Sequence, residues 1–116
     1  MAMEIKNDTY NVVYDEVTQS IIFDGSLRLN GVTEYKPISE LLNYVVKQEP
    51  KKIVLNLKEL NFLNSSGISM LSKFVIEVRK KKNIQMTVVG AKDIPWQGKS
   101  LKNLQRLMPS LTLDLS

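Results

Sequence analysis

The residues best placed to do or receive chemistry in this chain are Asn64, Ser65, Ser66 and Gly67. They stand where an apolar strand pattern gives way to a helical one. Asn is a strong N-cap, and with Asn64 in that role Leu63 and Ile68 fall at the two ends of a hydrophobic staple. Ser65 then opens the helix, its hydroxyl among backbone N–H groups that lack intrahelical partners. A phosphate there would meet those donors and the positive end of the helix dipole. The same four residues also read as a plain helix cap, with no further role. Catalysis by Ser65 is a poor fit, because the chain has no His to activate it and no G-x-S-x-G elbow. Ser65 is better suited to be a substrate of chemistry than its agent.

A second stretch imitates a nucleotide site. Gly98-Lys99-Ser100 follows a strand pattern and precedes a helical one, like the end of a phosphate-binding loop. That loop requires a Gly five residues earlier, where the chain has Asp93, and Pro95 and Trp96 fill the space of a flexible glycine-rich turn. A nucleotide-binding enzyme built on this loop is therefore the weak rival. Glu59, Glu77 and Asp93 show no pairing, and without His or Cys neither a metal nor a cofactor is called for.

The elements that must position these residues follow from periodicity. Residues 10–14 and 19–27 alternate and are rich in β-formers, which predicts a hairpin, with Gly25 marking a bulge. Ile38, Leu41, Leu42, Val45 and Val46 form a helical stripe. That helix starts either with Pro37 in its first turn or near Gly31 with Pro37 inside it. A strand over 53–57, a polar connection over 58–63, a helix over 65–82, a strand over 84–89, a loop over 90–98, a helix from about Lys99 and a last strand over 111–113 complete the chain. The order β-β-α-β-α-β-α-β implies a mixed α/β fold of about five strands, partly parallel, in one domain spanning 1–116. On the central helix Ile68, Leu71, Val75 and Val78 make a core stripe. Met70 and Phe74 either widen it or form an exposed apolar patch beside Ser65 that meets a partner. Trp96, the sole Trp, is either tucked on the core or offered to that partner.

Composition narrows the class. Lys and Arg total 16 against 12 Asp and Glu, yet residues 79–82 read as cations at a helix C-terminus and no aromatics interleave with them. Nucleic acid is not an expected partner. Nor is a membrane, since no apolar run is long enough to span one and residues 1–6 do not form a signal peptide. A cytoplasmic location is expected.

The strand, the Lys58-Glu59-Leu60-Asn61-Phe62-Leu63 connection and the Asn-Ser-Ser-Gly-Ile opening of the next helix together resemble the STAS domain, the family of anti-sigma factor antagonists. There the turn usually reads Asp-Ser-Ser/Ala-Gly, and the first Ser is phosphorylated. Ser65 matches that Ser, with Ser66 as the second choice, while Asn64 replaces the family's Asp. The cap survives that change but a negative charge beside the acceptor is lost. The resemblance implies a non-catalytic partner-switching regulator of transcription. Its partners would be a GHKL-type serine kinase that is also an anti-sigma factor and a PP2C-type phosphatase. A scaffold using the same surface without phosphorylation is the alternative. Many family members add a closing helix after the position of Leu113.

Overall fold

A computed structural model describes residues 3–116. Strands β1 (Met3–Lys6), β2 (Tyr10–Asp15), β3 (Ser20–Leu27), β4 (Lys52–Leu63), β5 (Gln85–Gly90) and β6 (Thr112–Leu115) form one sheet in chain order. Helices α1 (Gly31–Lys47), α2 (Ser65–Lys81) and α3 (Gln97–Leu107) connect the strands from β3 onward. The first three strands pair antiparallel and the last four parallel. Right-handed crossovers that always step the same way put all three helices on one face. The core lies between, with Phe23, Leu55 and Val88 from the sheet meeting Ile38, Leu71 and Leu104 from the helices. The opposite face carries no helix among the described residues, and Asn11, Val13, Ile22, Val54 and Val89 along it are only half-buried.

The mixed α/β class holds, with six strands rather than about five. The extra one, β1, is a four-residue edge strand in which Met3 and Ile5 alternate with the Glu4–Lys6 ion pair. Four residues carry too short a pattern to stand out. Its connection to β2 is fixed by Asn7, whose side-chain oxygen accepts from the Thr9 and Tyr10 N–H groups and the Thr9 hydroxyl. Gly25 does mark a bulge. Its φ is 94°, and the Thr9 carbonyl crowds the place a Cβ would take. The β3–β4 register slips on both sides of Asp24 and Gly25.

One open alternative is decided and one expectation needs correction. Of the two starts that the sequence allows for helix α1, the structure has the one at Gly31, with Pro37 inside the helix. Pro37 removes one i→i−4 bond but leaves the helix intact, because Tyr35 and Ile38 on either side are buried anchors. Strand β4 runs through the whole of 58–63, expected to be a connection. Alternation fails there: after Ile53, Leu55 and Leu57 the buried residues are Leu60 and Leu63, three apart. The slipped pairing with β3 accommodates the extra residues, and Asn56 accepting from the Lys58 N–H tightens the backbone at the change.

Helix α3 is anchored by Gln97, the one buried polar side chain among the described residues. Its amide nitrogen donates to the Leu57 and Leu60 carbonyls at 2.7 and 3.1 Å, and its oxygen accepts from the Ala91 N–H at 2.7 Å. It thereby satisfies backbone groups stranded where β4 leaves β5. Gln97→Ala would orphan the Leu57 carbonyl and the Ala91 N–H, at about 1–3 kcal/mol for each unsatisfied group before relaxation, while the Leu60 carbonyl keeps a second donor in the Trp96 indole N–H. A loss of about 3 kcal/mol in urea unfolding is the expected outcome; a loss under 1 kcal/mol would show that water substitutes freely.

Candidate functional site

Parallel strands place the loops after β3, β4 and β5 at one end of the sheet. The turn Asn64–Gly67 sits there, and it is held from three directions by the Asn64 side chain. The Asn64 amide oxygen accepts from the Gly67 N–H at 3.0 Å, which is the expected cap. The same oxygen accepts from the Tyr35 hydroxyl at 2.7 Å. The amide nitrogen donates to the Leu29 carbonyl at 2.7 Å. One side chain thus ties α2 to α1 and to the loop that leaves β3. The first intrahelical bond, Ile68 N–H to the Asn64 carbonyl, is 3.0 Å.

Gly67 is buried against Tyr35 and Leu63, and a Cβ there would lie 2.7 Å from the Tyr35 hydroxyl. Close approach of α1 and α2 therefore demands glycine at this position. Leu63 is buried and Ile68 packs on the core, as the staple requires. Burial pushes the Tyr35 phenol above its ordinary value, against a smaller downward pull from the Leu29 backbone.

Ser65 is exposed, whereas Ser66 is half-buried and lines a groove between α1 and α2. The groove encloses about 410 Å³. Tyr35, Leu42, Met70 and Phe74 give it apolar walls, and Ser39 and Ser69 give it hydroxyls. Val32, 74% exposed, stands at its edge. This corrects the picture of an exposed patch: Met70 and Phe74 are only 7% and 3% exposed. They fill the seam between the helices, and what reaches solvent is the groove above them.

Trp96 lies at the same end but is half-buried, its indole N–H donating to the Leu60 carbonyl at 2.9 Å. The tuck against the core accounts for the indole N–H. Arg28, just past β3, stands 4.0 Å from the centre of the Phe62 ring. Gly98, Lys99 and Ser100 fall inside the first turn of α3. The loop before them spends N–H groups on the fold: Ala91 donates to Gln97, Lys92 to the Ser116 carbonyl and Ile94 to the Ala91 carbonyl.

Tyr35, Leu29 and Gln97 are the residues that sequence reasoning missed. Tyr35 extends the α1 stripe by three residues before Ile38, a signal hidden by the option of starting the helix at Pro37. The Leu29 carbonyl and Gln97 act through backbone contacts 35 to 40 residues distant, which no local pattern records.

The STAS domain model matches residues 11–108. The chain belongs to the STAS domain family. No curated protein matches the sequence significantly. Among solved structures, SiaC of Pseudomonas aeruginosa superposes with a TM-score of 0.74 at 10% identity, over 100% of this chain and 98% of that one. Apo-SiaC from the same organism gives 0.73 at 10% identity, with the same coverage. A chain in the crystal structure of the diguanylate cyclase SiaD with its activator SiaC, also from Pseudomonas aeruginosa, gives 0.72 at 10% identity, covering 98% of this chain and 99% of that one. At that identity the likeness is one of fold.

The geometry makes Asn64 more than a neutral stand-in for Asp. A carboxylate has no hydrogen to give the Leu29 carbonyl and would face it with a second lone pair. Asn64→Asp is expected to keep the cap yet lose about 1–3 kcal/mol at pH 7; a loss of a few tenths in urea unfolding would reduce Asn64 to a cap alone. Tyr35→Phe is expected to cost about 1 kcal/mol. Its pH signature follows from the raised phenol value. The stability contributed by the neutral hydroxyl is complete below about pH 10 and is lost as pH rises through the folded value. Tyr14, raised chiefly by its own burial, keeps its share of that alkaline loss, so Tyr35→Phe should flatten the decline without abolishing it.

Proposed function

We propose that this STAS-domain protein is a non-catalytic signalling regulator that binds a protein partner at the end bearing Ser65. Phosphorylation of Ser65 breaks the contact. The observation that carries this reading is the contrast within the turn. Asn64 and Gly67 are spent on holding the fold, while Ser65 is exposed beside an apolar-walled groove. A surface with an apolar floor and a polar rim is what a protein contact uses. A dianion on Ser65 suits its own helix N-terminus, so the fold tolerates it, but it adds charge and bulk where a partner packs.

The family resemblance names the partner class as a GHKL-type serine kinase that is also an anti-sigma factor, with a PP2C-type phosphatase to reverse the modification. The fold relative SiaC is an activator of the diguanylate cyclase SiaD, which supports regulation by binding and offers a signalling enzyme as the second partner class. Ser66 is the second acceptor, less accessible because it faces the groove.

Phosphosite mapping on the protein from its own cells, in growth and under stress, tests the switch. Condition-dependent phosphate on Ser65 is expected. Ser65→Glu should then weaken the identified partner at least tenfold, about 1.4 kcal/mol, with Ser65→Ala binding like the unmodified protein. The unfolding midpoint should change little in either variant. Bare Ser65 and Ser66 under every condition would sink the switch and leave the unphosphorylated scaffold.

A further inference from the structure

The end of the molecule opposite Ser65 is chemically distinct. The C-terminal ends of α1, α2 and α3 meet there with the first residues of β4 and β5 and with the turn between β2 and β3. Eight of the 16 basic residues and four of the 12 acidic ones fall at this end, an excess equal to the whole net charge of +4. Lys51 and Lys52 enter β4, and the Lys51 carbonyl accepts from the Gln85 N–H at 2.9 Å. The loop leaving α1 is thereby set beside the loop leaving α2. Lys47, Lys81 and Lys82 complete the cluster from the two helix ends.

Part of this charge is structural. Arg79 donates to the Leu107 carbonyl at 2.9 Å, tying α2 to α3, and Lys80 pairs with Glu77 at 2.9 Å. Helix-terminal lysines also favour the dipole. Those uses do not account for Lys51 and Lys52, which lie on no helix. Besides Glu77, the acids at this end are Asp15, Glu16 and Glu49, and Asp15 is engaged by the N–H groups of Val17 and Thr18. That turn also carries Val17, 93% exposed, the most exposed large apolar side chain among the described residues.

We propose that this pole is a docking surface for an anionic lipid bilayer, a peripheral contact that departs from the expectation, based on the lack of a spanning segment, that a membrane is not a partner. Its charges are mostly lysines, which meet a headgroup layer as mobile point charges and need no fixed acceptor geometry. Clustered lysines of this number give electrostatic adsorption to acidic lipid. Val17 projects from the same end and supplies an apolar contact with the interface, a feature that a purely nucleic-acid surface does not use. Among the described residues the tyrosines at this end, Tyr14 and Tyr44, are buried or half-buried, so the pole offers no exposed stacking platform of the kind single-stranded nucleic acid requires. Docked this way, the domain would lie on the membrane with no segment crossing it, and Ser65 would face away.

Vesicle co-sedimentation of the full chain tests the proposal. The probes are vesicles of phosphatidylcholine alone and with about one-third phosphatidylglycerol, a composition chosen for strong anionic charge. Binding to the anionic vesicles only, lost at about 1 M salt where the Debye length falls to about 3 Å, is expected. Lys82→Gly should weaken binding about fivefold, the equivalent of about 1 kcal/mol per cation. The fold should not suffer, because Lys82 holds a left-handed φ of 64° that glycine adopts freely. Val17→Ser should weaken binding without changing its salt dependence. Lys92→Gln and Lys99→Gln, near the other end, should leave it unchanged. The proposal is overturned by equal weakening in those two variants, by no preference for anionic vesicles at low salt, or by duplex DNA displacing the vesicles at equal charge.

Discussion

The structure depends on the way one primary amide is used up. Asn64 has two acceptor sites on its oxygen and two donors on its nitrogen. The Gly67 N–H and the Tyr35 hydroxyl take both acceptor sites, and the Leu29 carbonyl takes one donor. Each bond contributes only about 1 kcal/mol net. Their joint effect is geometric: three segments distant in sequence are fixed at a point within one residue of Ser65. Ser65 inherits a defined position without spending its own hydroxyl on the fold.

That pin works because the sheet has already brought its partners near. Strands laid down in chain order send every β-to-α loop to the same end, so the residues after β3 and β4 are neighbours by topology. The same rule collects the helix C-termini and their lysines at the opposite end. The two sites proposed, one for a protein and one for an anionic surface, would thus be separated across one small domain without extra chain. The two ends differ in character as well. One presents a hydroxyl-rimmed apolar groove, the other a charge excess.

Much of this could be read from the chain, for identifiable reasons. The helix cap, the staple and the Ser65 exposure depend on residues within five positions of one another, where local rules are strong. The alternating hairpin and the Gly25 bulge are likewise local. Strand β4 beyond Leu57 was hidden because the slipped register against β3 gave buried residues a period of three. The groove was invisible for a different reason. The spacing of Met70 and Phe74 fits either a wider core face of α2 or an exposed patch, and only the packing of α1 shows that they close a seam. The Asn64–Leu29 bond spans 35 residues and involves a backbone carbonyl, so no residue-type pattern announces it.

The replacement of the family's Asp by Asn64 then acquires a physical meaning. With Asp, the turn would place a negative charge next to a phosphorylated Ser65, and the two would repel at short range. With Asn64 the phosphate would meet a neutral cap and the N–H groups of the first helical turn. The modified state would therefore cost this fold less, shifting the burden of discrimination onto the partner surface. A kinase that relies on a carboxylate beside the acceptor would lose that contact, so any kinase serving Ser65 must recognise the turn through its shape and through the groove beside it. Under the proposed switch, Asn64 would bear on which enzymes could write the signal, and the fold would be left free to carry it.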